Sequence, residues 1–129
     1  MSIAASGMAA AMTSLTASAS NIANADSTGP VPGPQAANFP GSVYQPAVVV
    51  QTALPDGGVS ATVLRPTSYA QSYNPSAPFA DAQGMVATPN VDLASEMVNQ
   101  LQATLAFRAN LKMFQAADRN AKSLLDVMC

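Results

Sequence analysis

DLASEMVNQLQATLAFRANLKMFQAADRNAKSLLDVM, residues Asp92 to Met128, contains neither glycine nor proline. As one helix it would run about 37 residues, or roughly 55 Å at ~1.5 Å per residue, several times the ~11–12-residue mean of globular helices. Leu93, Met97, Leu101 and Leu105 carry its first apolar face. A second stripe continues it through Phe107, Leu111, Phe114, Asp118, Ala121, Leu125 and Met128, in alternating steps of four and three with one polar interruption. That alternation keeps one seam on a helix surface, which is what a helix needs to lie along a partner helix. Asn90 or Asp92 supplies the N-cap, and Glu96 in the first turn complements the helix dipole.

A matching stripe opens the chain: Met8, Met12, Leu15, Ala19 and Ile22. The Ala-rich run from Ala4 to Ala11 favours helix intrinsically, with Ser2 or Ser6 as cap. Gly7 weakens it by about 1 kcal/mol relative to Ala and is best tolerated where another backbone approaches. The turn residues Asp26-Ser27-Thr28-Gly29-Pro30 stop the helix near Asn24. Helices at both termini of a chain this short join into one rod-like unit, an architecture of assembly more than of catalysis.

Between them the chain reads as short strands and loops. Prolines and glycines crowd residues 29–41 and exclude regular packing. Val43 to Thr52 is rich in β-branched residues and predicts a strand. Asp56-Gly57-Gly58 signals a hairpin turn, Val59 to Leu64 is the return strand, and a short extended piece falls at Ser68 to Tyr73. Asn74 to Pro89 reads as irregular. The expected fold is α+β: long N- and C-terminal helices paired as a coiled coil, with a small β-hairpin and loop-rich middle domain. The divisions are 1–27 for the first helix, 28–90 for the Pro-rich loop and middle domain, and 91–129 for the second helix.

Composition limits the chemistry. Of 129 residues 49% are hydrophobic but only 5% are aromatic, and much of the apolar content is Ala, so a monomer has a thin core and subunit contacts supply part of its stability. A net charge of −2 without a basic cluster argues against nucleic acid, whose binding depends on neutralising phosphates. Before residue 91 the charged residues are Asp26, Asp56, Arg65 and Asp81, which leaves the N-terminal third to be covered by other protein. There is no histidine, and Cys129 stands alone at the last position, which removes zinc-type sites, Cys–His and Ser–His pairs and an internal disulfide. Phosphate-binding loops and dinucleotide fingerprints do not occur. Asp92 and Glu96 are explained by helix capping, and Asp118 with Lys122 is an ordinary i, i+4 pair. No catalytic, cofactor or metal residues are expected, and no small-molecule substrate.

Ala23-Asn24-Ala25 has the form of a signal cleavage site, but no Lys or Arg precedes it, and Ser and Thr interrupt the apolar run. No segment approaches the ~20 apolar residues of a membrane span. The N-terminus reads as a mature helix.

Three stretches resemble the bacterial flagellar rod and hook axial proteins, and most closely the short proximal-rod members of the basal body. They are Ser6-Gly7-Met8 with Leu15 and Ser20-Asn21-Ile22-Ala23-Asn24-Ala25; Tyr73-Asn74-Pro75 with Pro78 and Asp81-Ala82-Gln83-Gly84-Met85-Val86; and Pro89-Asn90-Val91-Asp92 with Glu96-Met97-Val98 and Arg108-Ala109-Asn110. The Pro-rich run Pro30 to Pro40, and Ala109 where an aromatic often follows the arginine, depart from the family pattern. The resemblance implies a structural rod subunit that polymerises by its terminal helices into a helical tube, transmits torque and encloses the export channel. Implied partners are copies of itself, other rod proteins and the membrane-ring or export-gate base. The implied location is the periplasm-spanning rod of the basal body, reached by type III export without a cleaved signal. A subunit of another type III rod or needle, and a soluble coiled-coil adaptor, are the alternatives. The expected assembly seam is Met8, Met12, Leu15 and Ile22 with Leu101, Leu105, Leu111, Phe114 and Leu125, serving contacts within one chain or between chains.

Overall fold

A computed structural model describes residues 2–33 and 41–128. Cys129 and most of the Pro30 to Pro40 run lie outside the described residues. The termini form two helices, α1 (Ser2–Ala23) and α2 (Leu93–Met128), of 22 and 36 residues. Between them lie β1 (Val48–Ala53), β2 (Val59–Leu64), β3 (Tyr69–Tyr73) and β4 (Met85–Pro89). The strands pair as two separate antiparallel hairpins, β1 with β2 and β3 with β4. The α+β class and the pairing of the terminal helices are as the sequence predicts.

Asp92 is the cap of α2. Its Oδ1 accepts the backbone N–H groups of Ala94 at 3.0 Å and Ser95 at 3.4 Å, and its Oδ2 accepts the Ser95 hydroxyl at 2.9 Å. These bonds, the Ser95 hydroxyl foremost, hold the Asp92 carboxyl below its ordinary value of 3.8. A carboxyl depressed by folding adds stability above its unfolded pKa and loses it as pH falls through the folded one. Urea midpoints taken below pH 4 should therefore fall less steeply for Asp92→Asn than for the native chain. Ser6 is not a cap. Its hydroxyl donates to the Ile3 carbonyl and accepts the N–H of Val59, tying α1 to β2.

The first hairpin lies along α1. Ala53 pairs with Val59 across the Asp56-Gly57-Gly58 turn, and Val48 pairs with Leu64 at the open end. Gly58 has φ +98°, and a Cβ there would stand 2.5 Å from the Ser6 hydroxyl, so turn geometry and close approach both require glycine. β1 begins at Val48, not at Val43. Pro46 has no N–H to give a ladder, and the N–H and C=O of Ala47 are both taken by the Asn21 side chain.

β4 corrects the reading of Asn74 to Pro89 as irregular. Asp81 accepts the N–H groups of Gln83 and Met85 through Oδ1, and Asn74 N–H reaches Gly84 C=O at 2.9 Å, so the loop folds back onto β3. Pro89 stands at the last strand position, where the missing N–H costs little. On its other side Ala87 exchanges both backbone bonds with Gly29 at 2.9 Å. Val86 and Ala87 are in consequence fully buried.

The buried apolar side chains are small: Ala10, Ala11, Ala17, Val43, Ala47, Val86, Ala87 and Ala103. The large ones, including most of those on α2, face outward.

Candidate assembly surface

Small residues form the contact between the two helices. Glu96 of α2 lies at Ser18 and Asn21, while Asn110 lies at Gly7. The helices therefore run antiparallel. A Cβ on Gly7 would stand 2.6 Å from Oδ1 of Asn110, so it is a side chain, not a backbone, that occupies the space glycine leaves. Gly7→Ala combined with Asn110→Ala should stabilise the fold by about 1 kcal/mol through helix propensity. Gly7→Ala alone should gain less, because the clash opposes it; urea unfolding of the singles and the double measures the difference.

A polar knot fastens this contact to the middle of the chain. The Asn21 side chain, 1% exposed, donates to Glu96 Oε1 at 2.7 Å and to Ala47 C=O at 2.9 Å. Its Oδ1 accepts Ala47 N–H at 2.7 Å and the Tyr44 hydroxyl at 3.0 Å. Ser18 donates to Glu96 Oε2 at 2.6 Å. Glu96 thus does more than complement a helix dipole, because it bridges α2 to α1. Tyr44 in turn lies 5.7 Å beneath the Arg65 guanidinium, which reaches the Gln45 carbonyl at 3.2 Å. Every buried side-chain polar atom among the described residues has a partner.

The seam predicted from large apolar residues lies beside this contact. Met8, Leu15 and Ile22 are half-buried and Met12 is exposed, one position round from the Gly7 and Ser18 face. On α2, Leu111 and Phe114 are half-buried. Leu101, Leu105 and Leu125 are exposed by 60%, 56% and 62%.

The two α2 stripes do not form one face. At about 3.6 residues per turn, Leu93, Met97, Leu101 and Leu105 lie opposite the side where Glu96, Ala103 and Asn110 meet α1. Met113, Phe114, Ala121, Leu124 and Leu125 return to the α1 side. Gly7 faces Asn110 and α1 begins at Ser2, so pairing ends about five residues beyond Asn110, and of these side chains Ala121, Leu124 and Leu125 lie past the end of α1. The rest of α2 projects roughly 20 Å. Opposite the C-terminal stripe lie Arg108, Lys112 and Arg119, all exposed. Asp118 and Lys122 form the expected i, i+4 pair at 2.8 Å.

A groove of about 850 Å³ runs between α1, α2 and the first hairpin, lined by Ala, Ser, Asn and Gln with Val48, Val49 and Val59. Among the described residues no three metal-ligating side chains converge, and no helix is long and apolar enough to cross a membrane.

Antiparallel terminal helices with apolar faces turned outward, and a middle of small hairpins, define a helical assembly subunit. Comparison with known proteins gives the family. Residues 82–127 match the model of the flagellar basal body rod FlgEFG protein C-terminal region. The flagellar basal-body rod protein FlgC of Yersinia enterocolitica is 40% identical over 114 residues, covering 86% of this chain and 82% of the relative. That of Salmonella typhimurium is 38% identical over 112 residues with the same coverage, and that of Agrobacterium fabrum 30% over 131 residues, covering 98% and 91%. The chain belongs to the FlgC family of flagellar basal-body rod proteins, structural subunits of the rod.

Proposed function

We propose that this chain polymerises through its terminal helices, with copies of itself and other rod proteins, into a helical tube that transmits torque and encloses the export channel. The observation that carries this reading is the outward display of large apolar side chains on α2 above a core of Ala and Val. An isolated soluble domain rarely exposes so many large apolar side chains on one helix without a partner for them. Leu101, Leu105 and Leu125 of the expected seam are available to neighbouring chains, as is Met12 on α1. Met8, Leu15, Ile22, Leu111 and Phe114 serve both the fold and its neighbours.

In this reading residues 1–27 and 91–129 build the tube wall and 28–90 the outer domain. The base of the rod meets the membrane ring or export gate. Nucleic acid and small-molecule substrates have no part, and the subunit performs no catalysis. The subunit travels unfolded through the type III apparatus and keeps its N-terminus. A thin core suits such a route, since little burial has to be undone before export.

Hydrogen exchange tests the proposal. Amides of residues 93–105 and 113–125 should exchange faster in the isolated chain than in purified basal bodies, while those of 59–64 change little. Equal exchange of the α2 segments in both states would contradict polymerisation through these helices. The intact mass of the chain recovered from basal bodies tests the export route: a species beginning after Ala25 would show cleavage.

A further inference from the structure

We propose that the free edge of β3 pairs antiparallel with the β3 edge of a second copy, about a two-fold axis at Gln71. The backbone bonds of β4 decide which groups that edge offers. Ala87 exchanges its N–H and C=O with Gly29, so Val86 and Thr88 are the β4 residues bonded to β3, across from Ser72 and Ala70. Tyr69, Gln71 and Tyr73 then turn their N–H and C=O groups away from β4. The bond from Asn74 N–H to Gly84 C=O keeps the same alternation.

Among the described elements β3 packs against β4 alone, and its whole length is exposed. The other strands are better covered. Gly29 closes the outer side of β4, and β1 and β2 lie against α1, where Ser6 takes the Val59 N–H. Edge strands of soluble proteins are guarded by a charge, a proline or a bulge. β3 contains no charged residue and no proline, and it pairs with β4 in unbroken register.

The residues of the strand select its occupant. Tyr69-Ala70-Gln71-Ser72-Tyr73 reads nearly the same in both directions. Run antiparallel against itself, it sets Gln71 against Gln71, Tyr69 against Tyr73 and Ala70 against Ser72. The outward backbone groups of Tyr69, Gln71 and Tyr73 then meet as hydrogen-bonded pairs. On one face two aromatic pairs flank a pair of amides, and on the other the small residues meet. A strand of different sequence would gain the backbone bonds without these matched side chains. The contact is isologous and closes at two copies. In a tube with a base and a tip all copies point one way, so a two-fold pair has no place in its wall and belongs to the free chain. The inference thus goes beyond the rod reading. A strand of roughly 17 Å buries less than a standard interface, which makes the pair weak and reversible.

Two cysteine variants of the purified full-length chain, each carrying Cys129→Ser, test the register. Across the pair, Ala70 and Ser72 of the second copy stand about 4.5 Å apart between Cα atoms, within disulfide reach. Each position is about 7–8 Å from its own counterpart, beyond that reach. Under mild copper–phenanthroline oxidation, Ala70→Cys mixed with Ser72→Cys should form a linked dimer that neither variant forms alone. Adding Gln71→Lys to both should abolish the link, because two ammonium groups meet at the axis, while the melting temperature holds because Gln71 is exposed. Equal linking in the unmixed samples, none in the mixture, or linking that survives Gln71→Lys would overturn the pairing. Oxidation of whole cells that joins these positions to a different protein, and not to each other, would give the edge another occupant and overturn it as well. The rod reading is tested separately, by the composition of basal bodies.

Discussion

Leu105→Asp should abolish swimming and leave basal bodies without a complete rod, while the purified variant melts close to the native chain. Leu105 is 56% exposed, so the substitution removes little packing within one subunit and costs about 0.5 kcal/mol there. In an assembled wall the same carboxylate is pressed into an apolar contact. If burial there costs about 4 kcal/mol, the contact weakens about a thousandfold, and repetition through a polymer multiplies the loss. Leu101→Asp should behave alike. Phe114→Asp should also block assembly, but Phe114 is half-buried, so its loss registers in the isolated chain too. Soft-agar spreading, electron microscopy of basal bodies and thermal melting by circular dichroism separate the two effects. Normal swimming by Leu105→Asp would remove it from any contact between subunits.

The second large effect belongs to Asn21→Ala, which should destabilise the chain by about 3–4 kcal/mol in urea unfolding. The substitution strips partners from Ala47 N–H, Ala47 C=O and Glu96 Oε1 together, and each buried group left unpaired costs about 1–3 kcal/mol. Against a total of about 5–15 kcal/mol for ordinary domains, and a core of alanines and valines, this brings the fold near its limit. Ser18→Ala should cost less, since Glu96 Oε2 keeps a contact with Asn99 at 3.4 Å. A loss under about 1 kcal/mol for Asn21→Ala would mean that water replaces the side chain and that α1 is not fastened here.

The long helix was legible because its two ends are chemical. Asp92 caps it, and no glycine or proline interrupts it before residue 128. The first hairpin was legible from Asp56-Gly57-Gly58, where turn type decides register. The second was not. Gly84 and Pro89 look like loop residues in sequence, and β4 forms because β3 and Gly29, far apart in the chain, flank it on both sides. Asn21 stood out only as part of the family-like stretch Ser20 to Ala25; its role in fastening the fold gave no signal, since its partners Ala47 and Glu96 are 26 and 75 residues away.

The assembly surface was half legible for a physical reason. Apolar periodicity selects large side chains, and of those it selected Met12, Leu101, Leu105 and Leu125 face outward while Met8, Leu15, Ile22, Leu111 and Phe114 are half-buried. It passed over Gly7, Ser18 and Asn21 because close helix contact is made by small and polar residues. It also joined the Leu93–Leu105 face to the stripe from Phe107, although the helix turns the second stripe away from the first. The capacity for assembly was readable. The division of labour between the contact within the chain and the faces left for its neighbours required the fold.

The most direct test of the account is quantitative mass spectrometry of purified hook–basal bodies, with an in-frame deletion strain as control. This chain should be present at structural stoichiometry in the wild type, with no rod in the deletion until the gene is restored. Intact basal bodies that lack the chain, or a deletion strain that still builds a rod and swims, would contradict it.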